Sequence, residues 1–147
     1  MPLWNLLNPW HGHGARVART MDDVLARAER DGPCCVRRRL DLATDRVILF
    51  SDLHRGIRDR SDEFRENERA YNAALAYYYR KGHTLILLGD AEELWQHRPE
   101  AVLGDYYHSI ELEARFHQAG RYVRLWGNHD DLWQFEDSVA QILAPLY

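Results

Sequence analysis

Three short apolar runs, separated by segments long enough to form helices, constrain the fold of this chain more than any other feature. The runs cover residues 46–50, 84–88 and 121–126. β-branched and large apolar residues dominate each run, and each run is too short to be a buried helix. The pattern therefore predicts three buried strands.

The segments between these runs show helical periodicity. Apolar residues recur at helical spacing over residues 15–30, over residues 62–81 and from Pro99 towards Gly120, and a glycine stops each stretch. Strands and helices that alternate with these lengths predict right-handed crossovers and a parallel sheet. We therefore predict an α/β fold, with a mostly parallel sheet and flanking helices.

Polar residues of metal-binding type follow the end of each predicted strand. They are Asp52 and His54 after the first strand, Asp90 after the second, and Asn128 and His129 after the third. Any one of the aspartates or the asparagine alone would be interpreted as a turn or helix-capping residue. Because the carboxyl ends of parallel strands meet at one edge of a sheet, we expect the five side chains to converge. Their oxygen and nitrogen donors, without thiolate, suit Mn, Fe or Zn.

The three polar strings resemble the motif blocks of the calcineurin-like metallophosphoesterases. The blocks D-x-H, G-D-x-x-D/E and G-N-H-D/E are present as Asp52-Leu53-His54, Gly89-Asp90-Ala91-Glu92-Glu93 and Gly127-Asn128-His129-Asp130. They occur in the order of the family, each after a predicted strand, and the resemblance covers residues 46–133. The chain is thus similar to enzymes that hydrolyse phosphate esters at a site with two metal ions.

The resemblance implies a division of roles among the ligands. Asp52 and His54 would bind the first metal ion, Asp90 would bridge both ions, and Asn128 would bind the second. A bridging carboxylate offsets the repulsion between two closely spaced cations. A hydroxide that bridges the metals would then attack the phosphorus of a phosphomonoester or phosphodiester substrate. The expected cofactors are two divalent metal ions, with Mn, Fe or Zn as candidates.

Residues beside the ligands are expected to assist the reaction. In the family pattern the histidine of the third block, here His129, donates a proton to the leaving group and is not a ligand. We expect Asp130 to hold the orientation of this ring and to stabilise its protonated form. Glu93 is expected to orient a ligand or to close a loop. Arg55 and Arg58 are either solvated or contact the phosphate of the substrate.

The family pattern continues after the third block with a further histidine and a G-H-x-H block, and neither follows residue 130 here. We therefore interpret residues 1–147 as a single metallophosphoesterase domain that is truncated at its C-terminus. Residues 1–45 would form an N-terminal extension with a helix, and residues 46–133 the core that carries the motifs. His11-Gly12-His13 precedes the first strand, so we do not interpret it as the G-H-x-H block.

The expected fold is accordingly the N-terminal half of the four-layer αββα sandwich of the family. A last helix is predicted over residues 132–146, with Val139, Ile142 and Leu143 on its buried face. Apolar surface is expected to remain exposed where a second sheet would pack.

Other functions are possible for the same residues. A catalytically silent metal-binding or interaction module is the main alternative, because the second metal would have only Asp90 and Asn128 as ligands. A nuclease has less support, since the formal net charge of -4 provides no basic field for nucleic acid.

Two features bear on the cellular setting. The only cysteines, Cys34 and Cys35, are adjacent in sequence, which disfavours a structural disulfide and favours a reduced, cytoplasmic environment. No apolar run approaches the roughly 20 residues that span a bilayer, so we do not expect membrane insertion. The expected binding partner is a phosphate ester, and the sequence leaves the oligomeric state open.

Overall fold

The computed structural model describes residues 13–29, 39–41 and 43–147, and the chain forms two compact units, residues 1–40 and 41–147. In the first unit, helix α1 (His13–Glu29) confirms the helix predicted over residues 15–30. Its apolar side chains Val17, Met21 and Val24 are exposed. Cys34, Cys35 and the His11-Gly12 pair lie outside the described residues.

The second unit contains a three-stranded parallel sheet in the order β1-β2-β3. The strands are β1 (Val47–Phe50), β2 (Thr84–Leu88) and β3 (Tyr122–Leu125). Phe50 lies opposite Leu87, and Leu85 lies opposite Tyr122, so the three strands end at the same edge. The predicted α/β class and the parallel sheet with flanking helices are therefore confirmed.

One face of this sheet packs on helices and forms the main core. Helix α2 (Phe64–Arg80) connects β1 to β2, and its apolar stripe buries Tyr71 and Leu75 against Leu85 and Leu87 of β2. Gly82 follows α2 with a positive φ of 77°, the left-handed conformation in which glycine commonly ends a helix. The predicted stop of this helix is confirmed.

The predicted continuous helix after Pro99 is wrong, because the segment breaks at Tyr106. Helix α3 (Pro99–Asp105) ends there, and helix α4 (Tyr107–Gln118) begins immediately afterwards. Tyr106 is fully buried, and its hydroxyl donates a hydrogen bond to Asp62 at 2.6 Å. Burial of this ring with a satisfied hydroxyl stabilises the break, which helical periodicity alone does not reveal.

The predicted last helix is present in part. Phe135 adopts an extended backbone, with φ -94° and ψ 117°, and separates a 3-10 turn (Asp131–Gln134) from the rest. After it, helix α5 (Glu136–Ser138), a π-helical turn (Val139–Leu143) and a second 3-10 turn (Ala144–Leu146) follow one another without a break. Leu143 is buried as predicted, beside Trp133, and the segment thereby covers a second, smaller core.

The other face of the sheet keeps apolar side chains in contact with solvent. Leu49 is 54% exposed, Leu88 46% and Leu125 38%, one from each strand. The prediction of exposed apolar surface is confirmed at this face. The prediction that the three strands are fully buried is wrong for the same residues. In the part of the chain that the structure describes, no helix is both long and apolar enough to cross a membrane.

Candidate functional site

The loops that follow β1 and β2 run side by side and continue the pairing of the two strands. The backbone N–H of His54 donates to the carbonyl of Asp90 at 2.9 Å, and that of Arg55 donates to Ala91 at 3.0 Å. In the opposite direction, the N–H of Glu93 donates to Arg55 at 2.9 Å. These bonds bring the first two motif blocks together at the edge where the sheet ends.

Several predicted metal ligands have an unusual backbone conformation. The φ angles of Asp52, His54 and Asp90 are 53°, 46° and 51°, all in the left-handed region. Aspartate and histidine tolerate this region better than most residues, but it is still uncommon outside glycine. Strained conformations of this kind cluster at functional sites, where the surrounding structure compensates their cost.

Two glycines of the motif blocks allow the third loop to approach the second. A Cβ added to Gly89, whose φ is 97°, would lie 2.6 Å from the amide nitrogen of Gly127. A Cβ added to Gly127 would lie 2.7 Å from Cγ of Asp90. The backbone N–H of His129 also donates to Oδ1 of Asp90 at 2.7 Å. Both glycines are therefore required by close packing of the loops that carry Asp90 and His129.

Asp52, His54 and Asp90 form a cluster that could hold one cation. Their ligand atoms all lie within 4.8 Å of one another, and Nε2 of His54 is 3.9 Å from Oδ1 of Asp52. Donors bound at about 2.0 to 2.2 Å around one metal ion lie roughly 3 to 4.4 Å apart. The cluster fits a divalent cation after a small closure, and its mixed oxygen and nitrogen donors suit the metals predicted. Asn128, the remaining predicted ligand, is exposed in the third loop.

The ring of His129 is held by three neighbours. Its Nδ1 lies 2.7 Å from Oε2 of Glu93. The indole of Trp95 stacks on the ring, with centroids 4.0 Å apart and planes at 26°, and the ring of His54 contacts it edge-on at 4.4 Å. Glu93 thus contacts the imidazole of His129. The sequence analysis expected Glu93 to orient a ligand or to close a loop, but it did not identify this partner.

Asp130 does not perform the role that we predicted for it. Its buried carboxylate accepts hydrogen bonds from the backbone N–H groups of Asp90 at 3.1 Å, Ala91 at 3.0 Å and Gly127 at 2.7 Å. Three amides converge where the second and third loops meet, and each would be unsatisfied without an acceptor. The predicted contact of Asp130 with the His129 ring is therefore wrong, and Asp130 instead joins the two loops.

Neither of the alternatives considered for Arg55, solvation or contact with a substrate phosphate, agrees with the structure. The Arg55 side chain is fully buried, with Nη1 2.7 Å from Glu113 and Nη2 2.8 Å from Glu92. Burial opposes the charged form, but the attraction of Glu113 and Glu92 outweighs it and raises the pKa of Arg55. Arg58 is directed elsewhere, since its guanidinium donates to Glu68 at 2.8 Å and to the carbonyl of Asp105 at 2.9 Å.

Arg55 belongs to a buried ionic network that sequence analysis did not predict. Glu92 contacts both Arg55 and Arg124, and it accepts a hydrogen bond from the indole of Trp133 at 2.9 Å. Burial raises the pKa of Glu92, but the attraction of Arg124 and Arg55 lowers it by more. The net effect is a lowered pKa, so the carboxylate stays ionised. Arg124 also lies 3.5 Å from Asp130. The network therefore extends from the core to the residue that joins the second and third loops.

The three loops together provide oxygen and nitrogen donors for a cation. Beside these donors lies the imidazole of His129, which the Glu93 carboxylate orients through a hydrogen bond. Such a combination can bind a divalent ion and transfer a proton at the same site. Comparison with protein-family models, with curated proteins and with solved structures found no match for this chain.

Proposed function

We propose that this protein is a metal-dependent hydrolase of phosphate esters, with its active site where the three motif loops meet. The observation that best supports the proposal is that Asp52, His54 and Asp90 lie within 4.8 Å of one another at their ligand atoms. The ring of His129 contacts that of His54. The order of the motif blocks and their resemblance to the calcineurin-like metallophosphoesterases agree with this interpretation.

The residues divide into metal ligands and a proton donor. Asp52, His54 and Asp90 would hold one divalent ion, and Asp90 with Asn128 would hold a second. When bound, Mn, Fe or Zn would neutralise charge on the phosphoryl oxygens and make water a stronger nucleophile near neutral pH.

Glu93 and Trp95 prepare His129 to donate a proton to the leaving oxygen. The hydrogen bond between Nδ1 of His129 and the Glu93 carboxylate orients the ring and leaves Nε2 to deliver the proton. Stacking of Trp95 on the ring restricts its rotation. A ring that is already oriented loses little entropy when the substrate reacts.

We also propose that the described sheet is one of the two sheets of a four-layer αββα sandwich. The exposed face that carries Leu49, Leu88 and Leu125 supports this arrangement. Strands that are apolar on both faces usually have a covering layer on each. In the family fold a second sheet packs at this position.

A metal-binding module without catalysis is the second candidate. The specific observation in its favour is that Asp90 already belongs to the first cluster, so that Asn128 is the only predicted donor that the second ion does not share. The two candidates differ in one result. Both bind metal, but the hydrolase alone releases product from a nitrophenyl phosphate ester in the presence of Mn²⁺ and stops when a chelator removes the metal.

Metal binding itself can be tested with Asp90→Asn, which keeps an acceptor for the His129 amide. We expect the affinity for Mn²⁺, measured by calorimetric titration, to fall at least about tenfold, because loss of a ligand exceeds the usual effect of changing a neighbour of a ligand. Asp137→Asn, at an exposed carboxylate in α5, is the matched control and should bind as wild type does. Equal Mn²⁺ affinities for the wild type and both variants would show that Asp90 is not a metal ligand.

A further inference from the structure

A second group of three ligands shares His54 with the first. It consists of His54, Glu93 and His129, whose ligand atoms also lie within 4.8 Å of one another. Oε2 of Glu93 is 3.6 Å from Nδ1 of His54 and 2.7 Å from Nδ1 of His129. Donors of a tetrahedral zinc ion lie about 3.3 to 3.5 Å apart. The two distances to Glu93 therefore lie within about 0.8 Å of this spacing, and the two imidazoles lie close enough, within 4.8 Å at their ligand atoms, to close around one ion by rotamer adjustment.

Glu93 provides an independent indication of a ligand. The residue is only 9% exposed, and its Oε1 is buried without a hydrogen-bond partner among the residues that the structure describes. A buried carboxylate oxygen without a partner is costly. A cation held by both carboxylate oxygens of Glu93 would offset this cost. The side chains of His54 and His129 are partly exposed, 34% and 24%, so an ion can reach them from solvent.

The two groups of ligands differ in the metal that they favour. The first has two carboxylates and one imidazole, whereas the second has two imidazoles and one carboxylate. Imidazole-rich sites favour Zn²⁺, and carboxylate-rich sites favour Mn²⁺. We propose that Zn²⁺ binds to His54, Glu93 and His129, at a mononuclear site distinct from the cluster of Asp52, His54 and Asp90.

The two sites compete because they share one ring. In the first cluster the nitrogen of His54 nearest Asp52 is Nε2, and in the second the nitrogen nearest Glu93 is Nδ1. A neutral imidazole has one lone pair to give, so His54 can serve one ion at a time. Where the proposed hydrolase activity holds, Zn²⁺ at this second site also removes His129 as a proton donor. Zn²⁺ bound there therefore inhibits an enzyme that Mn²⁺ in the first cluster activates.

The binding experiment does not depend on catalysis. Zn²⁺ is titrated calorimetrically into the metal-free wild type, Glu93→Gln and Asp52→Asn, each checked for folding by circular dichroism. Glu93 belongs only to the second group and Asp52 only to the first. We expect Glu93→Gln to weaken Zn²⁺ binding at least about tenfold, and Asp52→Asn to weaken it by less than Glu93→Gln does, since it removes no ligand of this site. Asp137→Asn, at an exposed carboxylate outside both groups, should bind Zn²⁺ within about twofold of wild type.

A spectroscopic measurement on the wild type avoids any effect of substitution on folding. X-ray absorption at the zinc edge of the one-to-one complex should show two imidazole ligands. One imidazole, or a loss of affinity in Asp52→Asn that equals or exceeds that in Glu93→Gln, would overturn the site, as would the absence of Zn²⁺ binding. These results leave the hydrolase proposal untouched, because that rests on activity with Mn²⁺.

Discussion

His129→Ala is expected to slow the hydrolysis of alkyl phosphate esters by about 10²- to 10⁴-fold, the usual contribution of a general acid. Alkoxide leaving groups need a proton as the bond to phosphorus breaks, and His129 is the imidazole next to the ligand cluster. A nitrophenolate leaves without that help, so hydrolysis of nitrophenyl phosphate should change far less. The Mn²⁺ content of the protein, measured by elemental analysis, should stay nearly unchanged because His129 is not a ligand of the first cluster.

Two further variants sharpen this test. Glu93→Gln should show the same selectivity for poor leaving groups in milder form, because it weakens the hydrogen bond that orients the ring without removing the ring. His108→Ala is the matched control, at a histidine of α4 whose side chain is 65% exposed. Loss of Mn²⁺ from His129→Ala, or an equal slowing of both ester types, would show that His129 is a ligand or a structural residue.

The architecture could be predicted because its signals are local. Each strand is a short run rich in apolar residues, and the edge at which Asp52, Asp90 and His129 meet follows from parallel pairing alone. The motif order therefore predicted that these three residues converge, but not that Glu93 joins His54 and His129. It did not predict their conformation, since nothing in the string Asp52-Leu53-His54 shows that two of its residues adopt positive φ.

The contacts around the site could not be predicted, because they depend on residues far apart in the chain. Asp130 follows His129 directly, and adjacency suggested that it contacts the ring. In the structure, however, the Asp130 carboxylate accepts hydrogen bonds from three backbone amides of the second and third loops, and Glu93 contacts the ring instead. Which carboxylate reaches an imidazole is decided by how the second and third loops cross, and that crossing depends on Gly89 and Gly127.

Arg55 illustrates the same limit for charge. An arginine that follows a ligand pair is usually solvated, and its burial became apparent only with the positions of Glu92 and Glu113, which lie 37 and 58 residues away in sequence. The contacts of Arg55 link the first motif loop, the second motif loop and α4. Arg124 of β3 then connects Glu92 to Asp130 in the third loop. The buried ionic network thus connects residues of all three motif loops through the core.

We expect Arg55→Met to reduce the free energy of unfolding by about 3 to 5 kcal/mol, the usual result of removing one partner from a buried ion pair. The substitution leaves Oε1 of Glu92 and Oε1 of Glu113 buried without the guanidinium that both contact. Tyr71 still donates a hydrogen bond to Glu113 at 2.8 Å, but a neutral hydroxyl compensates a buried carboxylate only in part. Urea unfolding followed by circular dichroism measures the change.

Arg115→Met is the matched control, because it makes the same substitution in an arginine of α4 whose side chain is 51% exposed and lies 3.6 Å from Glu111. Exposed pairs contribute only about 0 to 1 kcal/mol, so this variant should unfold close to wild type. Arg55→Met should also weaken Mn²⁺ binding, since the loops that carry His54 and Asp90 lose a shared support, whereas Arg115→Met should not. If the two variants lose equal stability, the buried network does not hold the motif loops in place.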